Sequence, residues 1–381
     1  SGSPATRILA VGLDGHSGSS FAHGAQTVED LLEIYEPLRD TDVGKLFLET
    51  GWAAGSMFYP TKVGEMRGAR EDVLSTERDH RIVESFRSYI SRGIDPVKVR
   101  VEYVQSMGID VYLGFRLAPM AGIPPAWEPV AFWRDHPELR CVDREGNTVP
   151  RLSMAYPEAR KFYLDLLLEL VDYGIEGVHV VYTRWAPFVL FEPPVIEDFK
   201  REYGLDPREL PDDPEAQGGL FTTDERLERH WATYLTTFMR EVRQALDTRQ
   251  RRDGGRLGLA ANVLYDAAYN RAAALDLETW AREGLVDILL PATSGQSVSL
   301  IDYNYFRSLT DGTSCVFYED ITPRTMPGCD YAEHARRAYE GGAAGLTFWD
   351  SGTRVMNKTQ WHAVRRLGHR EDLDQMARVS G

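Results

Sequence analysis

A closed (β/α)8 barrel of the TIM type, in the α/β class, is the fold that this sequence predicts, as a single domain over residues 1–381. Three observations carry the prediction. Eight short apolar runs, each closing on a polar or aromatic residue, are spread nearly from end to end. Most are followed by a stretch with helical periodicity, and strands alternating with helices imply a parallel sheet. Eight such units in one sheet imply closure, which puts the active site at the C-terminal ends of the strands.

The runs are 8–14 (ILAVGLD), 45–50 (KLFLET), 110–116 (DVYLGFR), 177–184 (GVHVVYTR), 256–262 (RLGLAAN), 286–293 (VDILLPAT), 314–320 (SCVFYED) and 345–350 (GLTFWD). Between them, helical patterns cover 28–38, 97–107, 157–173, 195–203, 227–249, 277–283, 305–309, 331–340 and 359–367. The pattern at 157–173 opens on Pro157, a favoured first helical residue. A glycine- and serine-rich loop, 16–24, follows the first run. Three longer excursions, around 51–78, 117–150 and 207–221, interrupt the alternation. Long loops in a compact fold are usually functional, and the first of these reads as a loop on the catalytic face. Within the second, 144–147 (REGN) signals a turn.

Composition narrows the function. Apolar content of 43% and charged content of 27% are ordinary for a globular chain. The net charge of −15 argues against nucleic acid, whose phosphates call for basic surfaces. No run approaches the roughly 18 apolar residues of a membrane span. Cys141, Cys315 and Cys329 show neither a disulfide framework nor zinc spacing, and Cys315 reads as a core residue. No cofactor motif is present; a phosphate-binding glycine fingerprint is absent. His16, His23 and Asp14 are close in sequence without a known metal spacing. The chain opens on Ser1-Gly2-Ser3, which reads as a trimmed start and leaves cytoplasmic and secreted locations both open. Oligomeric state is not encoded in any pattern found.

Four stretches resemble barrel proteins known as family-10-like glycoside hydrolases. They are 133–151 (WRDHPELRCVDREGNTVPR), 157–184, 199–210 (FKREYGLDPREL) and 275–291 (LDLETWAREGLVDILLP). The resemblance spans roughly residues 112 to 350 and implies a barrel acting on carbohydrate. It departs in one place: the strand that in the family commonly carries Asp has Val181, while Arg184 is kept.

Glycoside cleavage usually needs two carboxyl groups, about 5 Å apart for retention and wider for inversion. Carboxylates end several runs. Glu319 leads, because related barrel hydrolases carry a nucleophilic Glu at the end of the seventh strand. Alternation groups Cys315, Phe317 and Glu319 on one face and Val316, Tyr318 and Asp320 on the other, so Glu319 and Asp320 cannot both face the axis. Asp350, Asp14 and Glu49 end the eighth, first and second runs. Glu192 lies in an aromatic loop, where burial would raise its pKa and suit a general acid. Arg116 and Arg184 could clamp a carboxylate-bearing sugar, or pair with Glu49 or Glu319. Tyr182, Asn262 and His16 are hydroxyl-ligand candidates, and mid-strand His179 reads as a core histidine. Trp52, Trp127, Trp133, Trp185 and Trp349, five of the eight tryptophans, fall on catalytic-face segments, where flat rings could stack on sugar. The expected partner is therefore a carbohydrate substrate, met by a glycoside hydrolase. The alternatives are a non-catalytic sugar-binding barrel, motivated by Val181, and a lyase for acidic sugars, motivated by the arginines.

Overall fold

The computed structural model describes residues 5–14, 27–52, 56–70, 76–117, 130–183, 187–211, 224–292, 301–321, 328–349 and 361–379. Eight parallel strands close into a barrel: β1 (Leu9–Asp14), β2 (Val43–Trp52), β3 (Asp110–Arg116), β4 (Gly177–Val181), β5 (Gly258–Leu264), β6 (Ile288–Ala292), β7 (Val316–Asp320) and β8 (Gly345–Trp349). Each pairs with its neighbours in sequence, and β1 completes the ring against β8. Each predicted run overlaps its strand; six contain it whole, while β2 extends past both ends of its run and β5 two residues past the end of its own. The runs are nearly all apolar because both faces of a parallel strand are covered.

The two faces bury different sets. Ala10, Phe47, Tyr112, Ala260, Ile288, Leu290 and Tyr318 form one cluster inside the barrel. Leu9, Val11, Leu46, Leu48, Val111, Leu113, Val178, Val180, Phe317 and Phe348 join the larger core between sheet and helices. Interior packing is tight at Gly114, where a Cβ would stand 1.9 Å from the backbone oxygen of His179. Backbone cannot yield as a flexible side chain does. Gly114→Ala is therefore expected to cost about 1–3 kcal/mol or more, read from urea denaturation.

The helices follow the predicted order with five differences, one of them a short helix, Ala131–Asp135, in the second excursion. Residues 28–38 split into a short helix, Val28–Leu32, and a 3-10 segment, Glu33–Leu38, which carries Pro37. Glu77–Ser91 is a full helix that lay unassigned between an expected loop and the helix Pro96–Ser106. It docks through Ile82, Phe86 and Tyr89. A short helix, Ala267–Ala272, follows β5, and Leu373–Val379 ends the described chain. The other expected helices are Pro157–Val171, Pro193–Tyr203, Glu225–Asp247, Leu277–Arg282, Tyr303–Thr310, Gly328–Glu340 and Trp361–Val364.

Two excursions carry structure of their own. After β2, Ser56–Met57 and Glu65–Met66 extend the sheet edge. Tyr59 and Thr61 then donate their hydroxyls, and Lys62 its N–H, to Glu169, at 2.8, 2.6 and 2.6 Å. Glu169 lies near the C-terminal end of Pro157–Val171, the end leading back to the start of β4. This part of the loop thus descends the side of the barrel rather than covering the catalytic face. The second excursion holds a hairpin, Arg140–Val142 against Thr148–Leu152. Its turn is the predicted one, with Gly146 at φ 90°. Among the described residues, no helix is long and apolar enough to cross a membrane.

Candidate active site

Inward side chains of alternate strands stack in layers of four in such a barrel. The strand register places Asp14 and Arg116 uppermost at the C-terminal end. Beneath them lie Glu49, Val181, Ala292 and Trp349, then Gly12, Gly114, Asn262 and Asp320. Phe47, His179, Leu290 and Thr347 close the floor, with the Phe47 and His179 rings 5.5 Å apart. Among the described residues, the charged inner-face groups of this mouth are Asp320 on β7, Asp14 on β1, Glu49 on β2 and Arg116 on β3.

Three of these groups form a buried knot. Nε of Arg116 lies 3.1 Å and 2.9 Å from Oε1 and Oε2 of Glu49. Its Nη2 donates to Oδ1 of Asp14 at 2.6 Å. Asp14 and Glu49 are register partners on adjacent strands, and their carboxyl groups reach each other. Glu49 is 1% exposed and Arg116 3%. Two acids facing one guanidinium leave an excess negative charge where water cannot screen it. Burial accordingly drives the Glu49 carboxyl well above the ordinary carboxylate range; Arg116 pulls it back, and the Asp14 charge pushes the same way as burial. Glu49 is thus a carboxylic acid that resists ionisation at the mouth of the barrel.

A further inner-face acid is Asp320. It ends β7 on the inner face, is half-buried, and accepts the Trp349 backbone N–H at 3.2 Å. Trp349 ends β8 between Asp320 and β1. Its ring lies across Gly12, where a Cβ would stand 2.5 Å from Cε3. The glycine is what lets the indole lie down inside the mouth.

Other expected residues stand elsewhere. Glu319 is turned away from the axis into the helix layer. Its Oε2 accepts from the Tyr303 hydroxyl at 2.7 Å, and its Oε1 meets His334 Nε2 at 2.8 Å. It shares that outward face with Phe317, which packs on Phe306. Tyr182 also faces outward, between Phe188 and Trp280, with its hydroxyl on Met239 Sδ at 3.3 Å. Glu192 is fully buried, and burial raises its pKa as expected. However, its carboxylate is occupied by the Val142 and Leu190 N–H groups, which lock the hairpin to the segment after β4. Trp133 is half-buried under Arg140, whose guanidinium lies 3.5 Å from its ring centre. Arg116 serves Glu49 and Asp14, so it does not by itself support an acidic sugar. Asn262 faces inward beside His179. His16, Arg184, Trp185 and Asp350 lie outside the described residues, as do Trp127 and the side chain of Trp52. Cys141 and Cys315 are buried free thiols. Among the described residues no group of three or more His, Cys, Asp and Glu could hold a metal ion.

No protein-family model and no curated protein matches the chain. Solved structures do. The alpha-L-fucosidase isoenzyme 2 from Paenibacillus thiaminolyticus matches with a TM-score of 0.57 at 14% identity, over 97% of this chain and 50% of its own. The chitinase ChiW from Paenibacillus sp. str. FPU-7 matches with a TM-score of 0.51 at 10% identity, over 95% of this chain and 32% of its own. The chain therefore spans about half the length of the first and about a third of the second. At these identities the likeness is one of fold.

Because Glu319 is bonded outside the barrel, Glu319→Gln is expected to act on stability. We expect a loss of about 1–3 kcal/mol, from weakened hydrogen bonds to a buried charged group, with turnover unchanged within about twofold. Parallel melting and rate measurements on that variant check this.

Proposed function

We propose that the chain is a carbohydrate-active enzyme, a glycoside hydrolase that uses acids on the inner face of the barrel mouth. The observation that carries this reading is Glu49, whose carboxyl is held by burial well above the ordinary range, on the same inner face of the mouth as the half-buried Asp320, with Trp349 on a strand between theirs. Asp14 and Glu49 are register partners on adjacent strands that share Arg116 and interact directly, so they are not read as the two separate carboxyl groups that flank a scissile bond. They serve as one unit. Glu49 gives its proton to the departing sugar oxygen, Arg116 steadies the charge left on Glu49, and the Asp14 charge helps hold the pKa of that acid up. Asp320 is the second carboxylate, acting as base or nucleophile on the sugar. Trp349 offers the apolar face of the sugar a ring to rest on. The resemblance to family-10-like hydrolases and the fold shared with a fucosidase and a chitinase support the same reading.

One observation favours a second reading. Val181 faces the mouth on β4, so the fourth strand adds no carboxylate there. A barrel that binds sugar without cleaving it fits that feature. The test is product release from a panel of aryl glycosides and polysaccharides, uronic-acid polymers included, alongside melting curves with the same sugars. Released sugar supports hydrolysis, and an unsaturated product would mean a lyase. A raised melting temperature with no product supports the binding barrel.

A further inference from the structure

His179 and Asn262 have no part in the mechanism above, yet they form a polar pair in the lower layers of the mouth, near Phe47 and Leu290. His179 is fully buried. Its Nε2 lies 3.3 Å from the carbonyl oxygen of Leu48, and its Nδ1 lies 3.3 Å from Oδ1 of Asn262. Both nitrogens therefore meet oxygen. A neutral imidazole carries a single N–H and can donate to only one of them. Burial holds the His179 pKa down to about 4, so a second proton is missing at neutral pH. The Leu48 carbonyl can only accept, so it takes the N–H and leaves Nδ1 as a lone pair. A lone pair facing an amide oxygen repels it. Half a turn of the Asn262 amide exchanges its two ends and sets an N–H against Nδ1.

We propose that His179 is a positioning residue: it holds the Asn262 amide as a donor to Nδ1, so that the amide oxygen is presented to the mouth as a fixed acceptor for a sugar hydroxyl or acetamido N–H. This rests on the carbohydrate reading of the site. Asn262 lies directly beneath the layer of Glu49, Val181, Ala292 and Trp349, and its register partners are Val181 and Leu290. Among the described residues no other group bonds its amide. An acceptor set among apolar neighbours is costly to leave unmatched, so it discriminates against a sugar lacking the donor.

The test has two arms. Long-range proton–nitrogen NMR of the imidazoles in the whole chain reads the tautomer of His179. The expected result is an N–H at Nε2 and a pyridine-like Nδ1 at neutral pH; a proton on Nδ1 overturns the proposal. Asn262→Asp replaces the donor with a carboxylate and should make His179 take up its second proton at higher pH; an unchanged titration also overturns it. The second arm uses the 4-nitrophenyl glycoside that the wild type cleaves fastest. Asn262→Ala should lower kcat/KM by about tenfold, mainly through KM, as for a lost hydrogen bond of about 1.4 kcal/mol. An unchanged value overturns the recognition role. If the wild type cleaves none of the glycosides, the hydrolase reading fails, while the tautomer still decides the His179–Asn262 pair.

Discussion

Glu49→Gln is expected to lower kcat/KM by about a hundred- to ten-thousand-fold, the usual contribution of a general acid. The amide keeps the shape of the acid and can still meet Arg116, but it has no proton to give. The loss should be largest for glycosides with poor leaving groups and smallest for nitrophenyl ones, whose oxygen departs with little help. The wild type should lose activity as pH rises through the raised pKa of Glu49, and that alkaline limb should vanish in the variant. Stability follows the same proton. The folded acid binds its proton more tightly than the unfolded chain does, so the favourable contribution is full below the ordinary glutamate pKa. It fades as pH climbs through the raised one. Substituting Gln removes that slope. A wild-type leaving-group dependence retained by Glu49→Gln would contradict the assignment.

Arg116→Met should be the most destabilising of the site variants, at about 3–5 kcal/mol near neutral pH. Met fills the space of the side chain but strands two buried acids with no cation between them. Carboxyl groups have an escape, since each can take a proton. The deficit should therefore shrink as pH falls, and denaturation at pH 7 and at pH 5 measures the difference. A deficit equal at both values would mean that packing, not charge, is what Arg116 supplies. Activity should fall as well, because the proton on Glu49 would then be held too tightly to transfer.

The barrel was legible in the sequence because covered parallel strands are apolar on both faces and stand out against their helices. The same property hid the phase of each strand. In the run SCVFYED both parities carry apolar residues, so nothing in that run says whether Glu319 or Asp320 faces the axis. Packing decides: Phe317 fits the helix layer and Tyr318 fits the barrel interior, and the acids follow their neighbours. Asp14 and Glu49 were legible as strand-end acids, though not as a pair sharing one arginine, because that contact joins three strands. Glu192 shows the opposite limit. An aromatic loop correctly implied burial and a raised pKa, yet its carboxylate is occupied by backbone N–H groups. The helix Glu77–Ser91 was missed because its apolar positions, Ile82, Val83, Phe86 and Tyr89, are thinly set among charges. His334 and Tyr303, which hold Glu319, left no mark in the strand itself.

The central claim is that chemistry belongs to the inner-face acids. It is tested most directly by comparing Glu49→Gln, Asp320→Asn and Glu319→Gln on the best substrate of the wild type, each with its melting temperature. We predict that the first two fold normally and lose turnover, while Glu319→Gln melts earlier and keeps it. Loss of turnover in Glu319→Gln at an unchanged melting temperature, with Asp320→Asn fully active, would contradict the account.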